Sequence, residues 1–304
     1  MLKIAYVYRL FIRMLLKIFL HPIDIPYNSG VGVVTYGGRA NIEMILISYY
    51  SFCSHIKINF PLTIINDGTF NDSDYNFIIS KLPNANIISA TKRQQYLKIK
   101  MLLSPFRYCS KYRFLDLEEK FNYKLFDPFL SVEAKKIIYL DCDTIFLREP
   151  KEILKWVKSN QIYNLHSKEA KFQSSLTPEW RSIEKMFCEK FSVDGNFNSG
   201  FLCINKDSFS LETINNVLSY LYQVNLFGIW LTEQFSLSVL FQSIKCIDLS
   251  NSYFHFTKRS NYAKLIIENK IVMVHFAFKS KVDYYPFAIK ELFKLRFYRQ
   301  KEII

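Results

Sequence analysis

Hydrophobic positions change period several times along the chain, and each change marks an element. Residues 1–20, MLKIAYVYRLFIRMLLKIFL, are apolar or aromatic except for a few cations. At 100° per residue, Lys3, Arg9, Arg13 and Lys17 fall within about 120° of one another, so the segment predicts a basic amphipathic helix. His21-Pro22 and Pro26 end it. Gly32 to Gly38 reads as a strand running into a glycine turn, and Glu43 to His55 follows with helical periodicity. Leu62 to Ile65 is a second strand, stopped by Asn66-Asp67-Gly68. A helix over 71–82 and a short strand over 85–89 complete an alternation that predicts a parallel, Rossmann-like sheet.

Residues 91–130 are basic and aromatic and lead into the most informative stretch, Lys135 to Phe146, KKIIYLDCDTIF. Four apolar or aromatic residues in a row, with lysines before and acids after, predict a strand buried on both faces whose carboxyl end carries Asp141 and Asp143. Beyond it, 149–157 reads as a helix, 161–165 as a strand, and 168–190 as a polar loop and helix. Next come a strand at 200–204 and helices at 209–223 and 231–241. Strands at 244–248 and 271–278 follow, the latter carrying His275. The expected organisation is a basic N-terminal helix over 1–25, one α/β body over 26–285, and a basic C-terminal helix over 286–304.

Composition narrows what such a body could bind. The 304 residues are half hydrophobic, with 28 Phe and 20 Tyr but only 8 Gly, which implies one compact core and excludes a disordered or collagen-like chain. A formal charge of +13 implies an acidic partner, either phosphate-bearing or lipid. With no recognition-helix, zinc-finger or RNP-type pattern, no nucleic-acid partner is expected. The six cysteines are scattered and never form Cys-x-x-Cys, which fits free thiols in a reducing cytoplasm.

Two carboxylates one residue apart at a strand tip can share a hard divalent cation with phosphate oxygens, although a solvated turn uses the same residues. Four segments then bear on the choice: Tyr139 to Thr144, Phe197 to Asn205 (FNSGFLCIN), Leu231-Thr232-Glu233-Gln234, and Val274 to Lys281. In this order and spacing the chain resembles metal-dependent GT-A glycosyltransferases. The likeness is greatest to the family 8-like group that includes glycogenin and bacterial galactosyl- and glucosyltransferases. The resemblance covers about residues 31–285.

That resemblance implies Mn²⁺ or Mg²⁺ on Asp141, Asp143 and His275. It implies a nucleotide-sugar donor, UDP-sugar first, contacted by Thr35, Tyr36, Asp67, Lys124, Asp141 and Lys281. Asn198, Glu233 and Gln234 would line the sugar and acceptor side, with retention of anomeric configuration. An inverting reaction would instead need a carboxylate base, for which Glu233 and Asp194 are candidates. Phe278 and Val282-Asp283 depart from the family pattern, which leaves Lys279 beside Lys281 as a diphosphate contact. By residue type alone, His275 is equally a core histidine, Asn198-Ser199-Gly200 a turn, and Glu233 part of a helix start.

The expected acceptor is a saccharide or lipid-linked hydroxyl in envelope polysaccharide or glycolipid synthesis. The N-terminal basic stripe would lie peripherally on the cytoplasmic face of an anionic membrane, while the same pattern also describes a helix packed on the body. Two rivals stand. A HAD-type phosphohydrolase also carries Asp-x-Asp after an apolar strand, but its later Gly-Asp pair does not occur here. A catalytically inert membrane-surface protein would use the basic ends alone.

Overall fold

A computed structural model describes residues 2–26, 30–102, 105–117, 121–168, 178–193, 196–256, 270–276 and 281–295. The first half follows the predicted alternation. Helix α1 (Leu2–Phe19) precedes β1 (Val31–Gly37), α2 (Ile42–Ile56), β2 (Leu62–Asn66), α3 (Asp72–Lys81) and β3 (Asn86–Ile88). The basic segment forms α4 (Ala90–Leu102), α5 (Arg107–Arg113) and α6 (Phe121–Leu130), and leads into β4 (Lys136–Asp141). Strand β5 (Thr144–Phe146), α7 (Lys151–Lys158), β6 (Asn164–Lys168), α8 (Pro178–Phe191) and β7 (Phe197–Asn205) follow. The remainder is α9 (Leu211–Gln223), α10 (Thr232–Ser243), β8 (Cys246–Asp248), β9 (Tyr253–Phe256), β10 (Met273–Phe276) and α11 (Lys281–Leu295).

Seven strands form the main sheet in the order β3-β2-β1-β4-β7-β6-β8. The four from the first half run parallel, as the alternation predicts, whereas β7 runs antiparallel to both β4 and β6. The apolar run before Asp141 has the predicted cause. Ile138 and Leu140 enter one core with α1, α2 and α11, while Ile137 and Tyr139 enter another with α5, α6, α9 and α10. Alternate side chains thus meet opposite layers, and both must be apolar.

One feature of the central stretch differs from the linear reading. Thr144 to Phe146 do not continue β4 but begin a second sheet, β5-β10-β9, in which β10 pairs antiparallel with β5 and parallel with β9. Asp141 and Asp143 therefore sit at the junction of two sheets. Strand β7 is also longer than its apolar run, so Asn198-Ser199-Gly200 lie inside a strand rather than in a turn.

Two of the four cations of the α1 stripe, Arg9 and Arg13, turn toward the body, while Lys17 is exposed. Arg9 lies 3.2 Å from Glu43, and Arg13 lies 3.4 Å from Asp74 and 3.8 Å from Glu43, all acids of α2 and α3. Buried Glu43 and Asp74 would be costly without cations, so the arginines turn inward. At the other end of the helix, Lys81 donates to the carbonyls of Lys17 and Leu20 at 3.2 and 2.7 Å, satisfying its open C-terminus. Tyr8 stacks on Tyr285 of α11 at 5.4 Å.

Two more cations of the basic segment are internal. Arg93 and Arg113 are 2% and 0% exposed and share the single carboxylate of Asp127, each with a guanidinium nitrogen at 2.6 Å. The ring of Tyr123 lies 4.8 Å from the Arg93 guanidinium and 3.9 Å from that of Arg113. Replacing Asp127 with Ala strips both guanidiniums of their anion. Denaturant unfolding should then register a loss of about 3–5 kcal/mol, and a loss under 1 kcal/mol would contradict this account.

Candidate active site

Strand β4 ends at Asp141, and the turn that follows is locked from below. Thr144 donates from Oγ1 to the Asp141 carbonyl at 2.8 Å and lies 2.6 Å from the Ser48 hydroxyl of α2. Cys142 is buried toward the α2 core, and the carboxylates on either side of it converge on His275. The second sheet supplies the third group. His275 is in register with Thr144, and the Phe276 amide donates to the Asp143 carbonyl at 2.9 Å. The His275 Nε2 then stands 3.2 Å from an Asp143 oxygen and 3.5 Å from an Asp141 oxygen. One donor atom from each of the three residues falls within 4.8 Å of the others.

The His275 ring is held in one place: its Nδ1–H donates to the Asn198 carboxamide oxygen at 3.1 Å, which turns Nε2 toward the carboxylates. The same oxygen accepts from the Gly200 amide at 2.9 Å and from Ser167 Oγ at 3.3 Å. Gly200 is required for space. A Cβ there would lie 2.2 to 2.8 Å from three atoms of the His275 ring, closer than any nonbonded carbon contact. On the opposite side, buried His255 of β9 lies in register with His275, with ring centroids 4.9 Å apart. Burial, aided by the neighbouring imidazole, pushes the His255 pKa well below its usual value, so the ring is neutral. No sequence pattern marks His255, because parallel pairing of β9 with β10 is a long-range fact.

A charge cluster adjoins the metal-type triad. Lys124 donates to Asp141 Oδ2 at 2.9 Å and to Ser199 Oγ at 3.2 Å, and lies 3.6 Å from Glu233. Ser199 in turn donates to Glu233 Oε2 at 3.1 Å, and Tyr139 donates to Asp141 Oδ1 at 2.5 Å. Burial works against the Lys124 ammonium, but Asp141 and Glu233 outweigh it and raise its pKa. Burial pushes the Glu233 carboxyl up to about 7, with Lys124 only partly opposing. Gln234 is anchored beside it, donating to the Phe197 carbonyl at 2.9 Å. Ser199 and Tyr139 escaped the sequence reading because serine and tyrosine in an apolar strand carry no positional signal.

The strand tips next to β4 carry the remaining predicted residues. Tyr36 is in register with Asp141, and Asn66, just before Asp67, is in register with Gly37. Thr35 Oγ1 and Tyr36 Oη are buried and have no hydrogen-bond partner among the described residues. As neighbours in one strand they face opposite layers of the sheet, Tyr36 packing with the α5, α6 side, so they do not define one shared pocket. Asp67 accepts from the amide and hydroxyl of Thr69 at 2.9 and 2.7 Å, and a Cβ on Gly38 would collide with its carboxylate. Behind them Arg93 donates to the Asn66 carbonyl at 2.6 Å, fixing the end of β2. Lys281 is the first residue of α11. Lys279 and Asp194 lie outside the described residues.

The profile of glycosyl transferase family 8 matches residues 24–282, and the chain belongs to that family. Its body is a GT-A fold, and membership excludes the phosphohydrolase rival. Among solved structures, the chain is similar to galactosyltransferase LgtC in complex with donor and acceptor sugar analogues. The identity is 11% over 91% of this chain and 98% of that one, with a TM-score of 0.56. It is also similar to mouse xyloside xylosyltransferase 1 at 11% identity, over 83% of this chain and 97% of the other, with a TM-score of 0.54. The bifunctional glycosyltransferase WbbM matches at 15% identity and a TM-score of 0.54, over 90% of this chain and 51% of its own. No curated protein matches the sequence.

Two outcomes follow from this geometry. A Gly200→Ala chain should stay folded but bind Mn²⁺ roughly 10-fold or more weakly by titration calorimetry, because the His275 ring must move; unchanged affinity would refute the close approach. The native Glu233 carboxyl holds its proton to about pH 7, against 4.5 for an ordinary glutamate. The folded state thus binds more protons in that window, and stability falls as pH rises through it. Urea unfolding from pH 4.5 to 7 should show that slope reduced in Glu233→Gln.

Proposed function

We propose that the protein transfers a sugar from a nucleoside diphosphate sugar, UDP-sugar first, to a hydroxyl acceptor with retention of configuration. The observation that carries this reading is the convergence of Asp141, Asp143 and His275 Nε2 within 4.8 Å at the tip of β4, beside Lys124. Two hard carboxylates and one imidazole, with its other nitrogen bound to Asn198, suit Mn²⁺ and, less selectively, Mg²⁺. Held by these residues, a divalent cation would supply Lewis-acid neutralisation of the charge that grows on a departing diphosphate. The protein's own residues do the rest.

Lys124 keeps its ammonium charged next to Asp141 and adds a fixed positive charge at the leaving-group side. Lys281, at the start of α11, is the second candidate for that side. Thr35, Tyr36 and Asp67, at and just beyond the tips of β1 and β2, receive the nucleoside. Asn198, Glu233 and Gln234 border the sugar and acceptor. Glu233 is held against Lys124 and Ser199, so it acts on that side through them rather than as a free base. None of the six cysteines is in a disulfide, consistent with a reducing cytoplasm. A saccharide or lipid-linked acceptor of envelope polysaccharide or glycolipid synthesis fits that setting.

A screen of UDP- and GDP-sugars with Mn²⁺ should reveal donor turnover that is abolished by chelation and lowered on the order of 100-fold or more in Asp143→Ala. Turnover unchanged by both treatments would sink the reading, and absence of turnover with every donor would favour the inert membrane-surface alternative. The anomer of the first product, read by proton NMR, decides retention.

A further inference from the structure

Helix α1 precedes the family match, which starts at residue 24, so its outward face belongs to this chain rather than to the common body. By helical period that face adjoins the arc of Arg9, Arg13 and Lys17. Val7, Leu10, Phe11, Met14 and Ile18 are each between 42% and 64% exposed. Their spacing places all five within an arc of about 100° on the helix. Ile12, Leu15 and Leu16 occupy the opposite arc and are buried in the core. The helix is therefore apolar on both sides, one side filled by the body and the other facing out. Five large apolar side chains aligned on one exposed helix face are more than the scattered exposure normal for a monomer.

We infer that this stripe of α1 is the surface by which the protein docks on an anionic lipid bilayer. Charge selects the lipid. Residues 2–19 contain no carboxylate, and Lys17, at the border of the stripe, is exposed. The acids that underlie the helix, Glu43 and Asp74, are already paired with Arg9 and Arg13. The approaching surface thus meets apolar side chains bordered by cation on a molecule of formal charge +13. No helix among the described residues is long and apolar enough to cross a membrane. The geometry is that of a helix lying in the headgroup plane, with its stripe reaching the acyl boundary and its inward arginines and Lys81 contact holding it to the body. A second copy of the chain is a poorer occupant, since pairing two stripes brings two +13 molecules and their Lys17 side chains together.

This inference does not rest on the transferase reading, and its test separates the two. Purified full-length protein should sediment with vesicles of phosphatidylcholine containing about 30% phosphatidylglycerol, and more weakly with phosphatidylcholine alone or in high salt. The double variant F11S/I18S should lose roughly 10-fold or more in partitioning, and K17E a smaller factor, while Asp143→Ala should bind vesicles like the wild type. Because the stripe is exposed, F11S/I18S should keep the wild-type Tm and its turnover of donor with a soluble acceptor. Wild-type protein that fails to sediment, or F11S/I18S that sediments equally, overturns the docking. So does a Tm lowered by several degrees, which would show the stripe covered by the chain itself. So does a dimer in analytical ultracentrifugation that F11S/I18S dissolves without any lipid effect.

Discussion

The geometry of the site depends on the contact between the His275 imidazole and a backbone position with no side chain, Gly200. The two residues come from different sheets. Strand β7 brings Gly200 to the centre of the main sheet, and β10 brings His275 from the smaller one. Where they meet, the ring occupies the space a methyl group would need. Asn198 on the same strand then holds the ring through Nδ1, leaving Nε2 to face Asp143 and Asp141. The position of one imidazole is thus set by a void, a hydrogen bond and a pair of ladder bonds, none involving a charge. A site built this way is rigid before any ligand arrives, which is what electrostatic catalysis requires.

Charge is distributed by the same logic of burial. Lys124 is surrounded by Asp141, Glu233 and Ser199 and stays charged because its anions outweigh the cost of its burial. Arg93 and Arg113 share Asp127, and Arg93 also braces the Asn66 carbonyl at the end of β2. Arg9 and Arg13 are committed to Glu43 and Asp74. These pairs nearly cancel internally, so the formal +13 is carried largely by the remaining cations. The cations that remain outside have a different task from those inside.

Membership of glycosyl transferase family 8 rests on residues 24–282, and the helix before that span is nevertheless integrated into the body. Two arginines, the Lys81 ammonium and stacking with Tyr285 hold it in place. A rigidly attached helix with an outward apolar face gives the enzyme a fixed attitude toward whatever surface it meets. A flexible tail would give only proximity.

Amino-acid order by itself determined the alternation of strands and helices through residue 90, the double-sided burial of the strand before Asp141, and the placing of two carboxylates one residue apart at its tip. These properties are local: side-chain period, turn chemistry and short motifs are set within a few residues. Tertiary structure alone decided the rest. Thr144 leaves one sheet for another, Asn198 lies within a strand and turns its oxygen to His275, and His255 stands behind that ring, all through pairings between segments tens of residues apart. The orientation of α1 was likewise invisible, because a helix that is apolar nearly all round has two possible inward faces. Buried Glu43 and Asp74 broke that tie by drawing Arg9 and Arg13 inward, and a carboxylate left alone in a core is too costly for any other choice.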